Sequence, residues 1–182
     1  MFSMIFQMSR ISIFLFIIVL FSCTKRYQSR VMHEYDASKD VFIEANRTII
    51  QNEENKIDSM LAQSTNFFIK DSSGIRLFID PYSQEIDNKP KDGDNVLVAY
   101  NCVLFEDHNL INDDILIDTI SFQIGYSKQM RGLNYAIKRM KTGDKAKIVI
   151  PSYLGFGMSG YGKIVPPYST LLLNVQLLKI KE

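Results

Sequence analysis

Two glycine patterns between Pro151 and Pro167 have the spacing of phosphate-binding loops. Gly155-x-Gly157-x-x-Gly160 fits a dinucleotide fingerprint, and Gly157 to Lys163 fits a nucleotide phosphate loop. Each would have to run into a helix, because the phosphate rests on the free N–H groups of a helix N-terminus. Here Ile164, Val165 and the pair Pro166-Pro167 follow, and that pair does not open a helix at this point. Ile164 also stands where the phosphate loop needs a hydroxyl. These glycines therefore speak for a shaped loop and against nucleotide binding.

The other reactive side chains are few. The two histidines are His33 and His108, the second beside Glu106 and Asp107, and neither has the companions of a metal site or a nucleophilic triad. There is no Gly-x-Ser-x-Gly, Cys-x-x-Cys or His-Glu-x-x-His pattern, so neither a metal nor another cofactor is expected. Asn112-Asp113-Asp114 reads as a solvated loop. Cys102 lies in an apolar run beside Tyr100, which suits a buried thiol rather than a nucleophile.

Residues 1 to 22 carry only Arg10 as a charge, and Ile11 to Phe21 is almost unbroken apolar sequence. That core, about eleven residues, is short for a bilayer span but suits a signal peptide. Leu20-Phe21-Ser22-Cys23 resembles a bacterial lipobox, so the mature chain is expected to start at a lipidated Cys23, held on a bilayer by its acyl chains. An ordinary secretory signal with an incidental cysteine is the alternative. Without Arg10 the chain's 21 basic residues become 20, against 20 acidic ones, and that balance gives no electrostatic reason to expect nucleic acid.

Residues 23 to 37 are polar and aperiodic and read as a tether, reaching about 50 Å at most if extended. Residues 38 to 66 read as a helical spacer: Phe42, Ala45, Ile49, Ile57, Met60 and Leu61 recur at helical spacing behind an N-cap at Ser38. Docking on the domain is the bland reading of that stripe; self-association through residues 38 to 61 is the sharper one. After the turn cluster Asp71 to Gly74, strands are expected at Ile75 to Ile79, Asn95 to Phe105, Ile120 to Ile124, Lys145 to Ile150 and Leu171 to Ile180. Met130, Leu133, Ala136, Ile137 and Met140 mark one short helix, with Gly143 expected as its C-cap. The fold class is α+β: an antiparallel twisted sheet of about five strands wrapped on one short helix, in a domain over residues 75 to 182.

The segments Met130-Arg131-Gly132-Leu133, Met140-Lys141-x-Gly143-Asp144-Lys145-Ala146, Ile150-Pro151-x-x-Leu154-Gly155-Phe156-Gly157 and Ile164-Val165-Pro166-Pro167-x-Ser169-Thr170-Leu171 occur in linked order. Over residues 75 to 182 they resemble an FKBP-type peptidyl-prolyl cis-trans isomerase domain. With Cys23 and the preceding helix, the chain is also similar to the bacterial FKBP-type lipoproteins that include the gliding-motility-associated isomerases. The activity this implies is rotation about Xaa–Pro amide bonds of polypeptides, against a barrier of about 18–20 kcal/mol that comes from amide resonance. A twisted amide loses much of its dipole, so a water-poor apolar pocket favours it without nucleophile or cofactor.

The resemblance implies a pocket with Leu133 as its floor, where many members have tryptophan. Tyr100, Phe122, Met130, Phe156, Ile164 and Leu173 become its walls, with Ile111, Asn112, Asp113, Ile120, Gln129, Tyr161 and Val165 around them. Tyr100, Phe156 and Ile164 take the catalytic positions, and the backbone N–H of Ile164 is expected to hold the carbonyl before the substrate proline. Phe156 stands where the family usually has a tyrosine hydroxyl, Ile111-Asn112 or Asn112-Asp113 replaces a Phe-Asp pair, and Ile120 and Leu173 replace common aromatics. Losing one neutral hydrogen bond is worth about 0.5–1.5 kcal/mol, so reduced activity is expected. The implied setting is the cell envelope, on a periplasm-facing outer membrane, since Lys25-Arg26 offers no acidic signal after Cys23. A non-catalytic chaperone or binding module, and a structural envelope subunit, are the competing readings.

Overall fold

The computed structural model describes residues 27–81, 88–105 and 116–181. Cys23, His108, Ile111, Asn112 and Asp113 lie outside them. The elements run α1 (Tyr27–Leu61), β1 (Ile69–Lys70), β2 (Arg76–Asp80), β3 (Asn95–Leu104), β4 (Leu116–Gln123), α2 (Arg131–Ile137), β5 (Lys145–Ile150) and β6 (Leu171–Lys181), with 3-10 turns at Ser152–Leu154 and Gly157–Ser159. Six strands form one antiparallel sheet in the order β1-β2-β5-β6-β3-β4. The α+β expectation holds; β1 is an added edge strand, and two residues are too short to announce themselves by alternation.

Period-two alternation builds the sheet and selects its buried face. Val96, Val98 and Cys102 of β3, Ala146 and Ile148 of β5, and Leu171, Leu173, Val175 and Leu177 of β6 point to one side, where they meet Leu133, Ala136 and Ile137 of α2. Each such Val, Leu or Ile side chain contributes about 1.5–3 kcal/mol by leaving water. Helix α2 ends at Ile137, before Met140, and Gly143 is not its cap. Gly143 instead turns the chain with φ 93° and donates its N–H to the Leu177 carbonyl at 2.7 Å, tying the entry of β5 to β6.

Helix α1 starts earlier than the expected spacer, and its last turns dock as the simpler reading had it. It begins at Tyr27, so part of the expected tether is helical; no Gly or Pro interrupts residues 27 to 61, and propagation costs little once a helix exists. The chain divides into two compact units, Met1–Thr48 and Ile49–Glu182, and the division falls within α1. In the first unit Val41, Phe42 and Ile43 are exposed. In the second, Ile57 is buried against Phe105 and Val149, with Met60, Leu61, Phe68 and Leu172 packed around them. That apolar contact is the reason the last turns of α1 belong to the domain.

An ionic network reinforces it. Arg76, 1% exposed, donates to Asp58 from Nε at 2.8 Å and to the Gly74 carbonyl at 2.6 Å, and its guanidinium lies 3.3 Å from Glu54. Lys70 and the Tyr153 hydroxyl also donate to Glu54. Burial pushes the Glu54 carboxyl up, but the hydrogen bonds from Lys70 and Tyr153 and the Arg76 charge outweigh it and hold the group below its ordinary value of 4.5. A carboxyl lowered by folding stabilises the fold above its unfolded value, and that contribution is lost as pH falls through the lower folded value. Thermal melting midpoints should therefore fall on acidification below pH 4.5, and Glu54→Gln should flatten that fall. Identical pH slopes in the two proteins would refute the assignment.

Candidate functional site

Beside the buried face of the sheet, three segments converge. Strand β3 brings Tyr100, and β4 runs antiparallel to it, so that Asp118 pairs with Tyr100, Ile120 with Val98 and Phe122 with Val96. The turn from Gly125 to Met130 leads into α2, and buried Asn134 fixes it from within: its Oδ1 accepts from the Gly125 N–H at 3.0 Å and its Nδ2 donates to the Met130 carbonyl at 3.1 Å. Asparagine has the donor and acceptor that both backbone groups need. The third segment is the loop from Pro151 to Thr170.

That loop has internal order. Tyr161 and Val165 form an isolated bridge, each N–H bonding the other's carbonyl, at 2.9 and 3.1 Å. Gly160 makes the approach with φ 61°, and a Cβ there would overlap the Val165 carbonyl. The bridge folds Tyr161 back onto Phe156, whose rings stack with centroids 5.0 Å apart and 27° between planes.

Most expected residues gather here. Phe122, Met130, Leu133, Val165 and Leu173 are buried in one core cluster, and Tyr100, Ile120 and Phe156 pack on it half-buried. Gln129 lies next to Met130 at partial exposure, while Tyr161 and Ile164 are about half exposed, at 48% and 51%. The layer order is thus an apolar base with an aromatic rim, and Leu133 and Leu173 are wholly beneath the surface.

One expected role is corrected. The Ile164 N–H donates to the Tyr161 carbonyl at 3.1 Å, shared with the Val165 N–H, because the tight bridge brings both amides over one acceptor. Ile164 therefore has no free backbone donor for a bound carbonyl. The Tyr100 hydroxyl has no hydrogen-bond partner among the described residues. Burial, together with the Asp118 carboxylate and the neighbouring Cys102 and Tyr161, pushes this phenol up, so it stays a neutral O–H donor throughout the physiological range. Burial pushes the Cys102 thiol up to about 12, which removes it as a nucleophile. Among the described residues no group of three His, Cys, Asp or Glu side chains could hold a metal ion.

Two features of this region were not readable in the chain. Asp118 reaches the site through strand register, which no local motif announces. Glu53 and Glu54, two of several charged residues on α1, touch the loop across 99 positions of sequence. A separate cavity of about 450 Å3 lies on the side of the sheet away from α2, among Ala99, Asn101, Lys147, Asn174 and Gln176. Of the expected site residues that are described, only Tyr100 borders it.

Comparison with known proteins agrees with the fold. The family profile described as FKBP-type peptidyl-prolyl cis-trans isomerase matches residues 87–178. The human protein named peptidyl-prolyl cis-trans isomerase FKBP14 is 38% identical over 97 residues, covering 52% of this chain and 46% of the relative. FK506-binding protein 2 of Yarrowia lipolytica is 33% identical over 108 residues, covering 59% and 73%. The crystal structure of FkpA from Escherichia coli aligns over 88% of this chain and 74% of its own, with TM-score 0.59 and 22% identity. The chain spans about half the length of the first of these relatives.

Proposed function

The chain belongs to the FKBP-type peptidyl-prolyl cis-trans isomerases, and from that premise we propose that it accelerates rotation about Xaa–Pro bonds in polypeptides, without covalent chemistry. The observation that carries this reading is the aromatic rim of Tyr100, Phe156 and Tyr161 over the buried apolar base of Phe122, Met130, Leu133 and Leu173. A proline ring resting on that base leaves water, and the twisted amide, having lost resonance and part of its dipole, is less disfavoured relative to the planar form there than it is in water. The Tyr100 hydroxyl is the donor available to a substrate carbonyl.

A proline-limited refolding assay tests it: the purified chain should shorten the slow phase in proportion to its concentration. Phe156→Tyr should raise turnover by up to about tenfold, since the added hydroxyl supplies one hydrogen bond at the rim. No acceleration by either protein, with aggregation still suppressed, would instead favour a chaperone that grips apolar segments next to proline. Two observations favour that second reading: Phe156 has no hydroxyl, and the Ile164 N–H is already bonded.

We further propose the setting in the cell envelope, with Cys23 lipidated, envelope or secreted polypeptides as clients and the anchor on a periplasm-facing outer membrane. The lipobox-like Leu20-Phe21-Ser22-Cys23 supports this. Cys23→Ala should move the protein to the soluble fraction, and retention on membranes would overturn the anchor. Exposed Val41, Phe42 and Ile43 support self-association within residues 38 to 61.

A further inference from the structure

We propose that Glu53 of α1 is a positioning residue for the substrate loop, setting the rim of the isomerase site by holding both ends of that loop on one carboxylate. This rests on the isomerase reading for its catalytic consequence. The geometry stands apart from it. The loop leaves β5 at Ile150 and enters β6 at Leu171, and its first and last polar residues, Ser152 and Thr170, are both buried, at 4% and 5% exposure. Glu53 Oε1 accepts from the Ser152 backbone N–H and from the Thr170 hydroxyl, each at 2.6 Å. Its Oε2 accepts from the Ser152 hydroxyl at 2.8 Å.

Charge-assisted bonds of this length are the stronger kind, and removing the carboxylate leaves three donors to be satisfied in a site with little water. The neighbouring side chain repeats the device one residue along, since Glu54 accepts from the Tyr153 hydroxyl at 2.6 Å. Tyr153 in turn lies over Gly74, where any Cβ would overlap its hydroxyl. Consecutive glutamates thus hold consecutive loop residues, three and four positions before Phe156.

What the clamp can control follows from the loop's own construction. Phe156, Tyr161, Ile164 and Val165 are linked to each other by the stack and the bridge, so the loop moves as a unit about its two ends. Pinning both ends with a single rigid group removes the hinge freedom that would otherwise blur the rim. The remaining strand residues of the site, Tyr100 and Phe122, are held by the sheet and do not need it.

The test compares Glu53→Ala, Glu53→Gln and Ile57→Ala in the full chain, each below its melting temperature. Ile57 packs α1 on Phe105 and Val149, neither of which belongs to the loop, so it controls for a loosened helix. On an Xaa–Pro tetrapeptide, Glu53→Ala is expected to raise KM about tenfold with kcat changed by less than about twofold, as loss of binding geometry. Amide exchange should quicken across residues 153 to 168 and stay unchanged in β3. Glu53→Gln keeps an oxygen for the Ser152 N–H and Thr170, and its amide can donate to the Ser152 hydroxyl, so it should restore most of both readouts.

Equal KM and exchange changes in Ile57→Ala, or none in Glu53→Ala, would overturn the clamp. A wild-type chain that accelerates nothing would sink the isomerase reading, and the exchange pattern would still decide the clamp.

Discussion

Arg76→Ala is expected to lower the stability of the domain by about 3–5 kcal/mol, the range for removing one partner of a buried ion pair. Arg76 sits at the start of β2, 1% exposed, and its guanidinium is shared between the Asp58 and Glu54 carboxylates and the Gly74 carbonyl. Deletion removes the guanidinium from all three acceptors, although Asp58 is 48% exposed and Glu54 keeps the Tyr153 hydroxyl. Lys70 still reaches Glu54 and, at 3.6 Å, Asp58, but its side chain is half exposed and so repairs little. With about 2–4 °C per kcal/mol for a chain of this size, the melting temperature should fall by about 6–20 °C. A fall below about 3 °C would mean that the contact of Ile57, Met60 and Leu61, with the Glu53 and Glu54 bonds to the loop, holds α1 without Arg76. Arg76→Lys should recover only part of the loss, since an ammonium cannot present the planar fork to Asp58 and Gly74 together.

Leu133→Ala should be about as costly and should also remove activity. Leu133 is wholly buried in α2, and alanine is the better helix former, so propensity cannot be the source of any loss. The cost is transfer plus cavity, about 2–5 kcal/mol. Collapse is opposed by the close seating of α2 on β5: a Cβ added at Gly132 would stand 2.5 Å from Ile150 Cγ2. The floor would therefore stay open beneath a bound proline ring, and refolding acceleration should drop well beyond what the loss of folded protein explains. Leu133→Met conserves volume and should cost less than about 1.5 kcal/mol, with activity near that of the parent. If Leu133→Ala remains fully active at a temperature where it is folded, Leu133 is only a core residue.

The strands and α2 were legible because their signals are local. Alternation in β3, β5 and β6, and the helical spacing of Met130, Leu133 and Ile137, each report which side of an element is buried. The loop was legible for a related reason. Pro166-Pro167 excludes the helix that its glycines would otherwise suggest, and Gly160 serves a close backbone approach that its type permits.

Other features depended on partners far away in sequence. Ile164 looked like a donor until the Tyr161 bridge claimed its N–H. The stripe on α1 predicted an apolar face without saying which part would be covered: Ile57 is buried, while Phe42 and Ile49 are exposed. Glu53 and Glu54 are common helix-surface residues, and nothing in their spacing separates them from Glu44, whose side chain among the described residues pairs with Arg47 in its own helix.

By itself, the chain determined its α+β class and its single short core helix, and pointed to an apolar site in place of a phosphate loop, because periodicity, proline and missing residue types act over a few positions. Only the tertiary structure decided that the last turns of α1 pack on Phe105 and Val149, that the Glu53 carboxylate bonds Ser152 and Thr170 at the two ends of the Pro151 to Thr170 loop, and that the Tyr100 hydroxyl has no hydrogen-bond partner among the described residues. Those depend on strand register and long-range hydrogen bonds, which any local pattern of residues leaves undetermined.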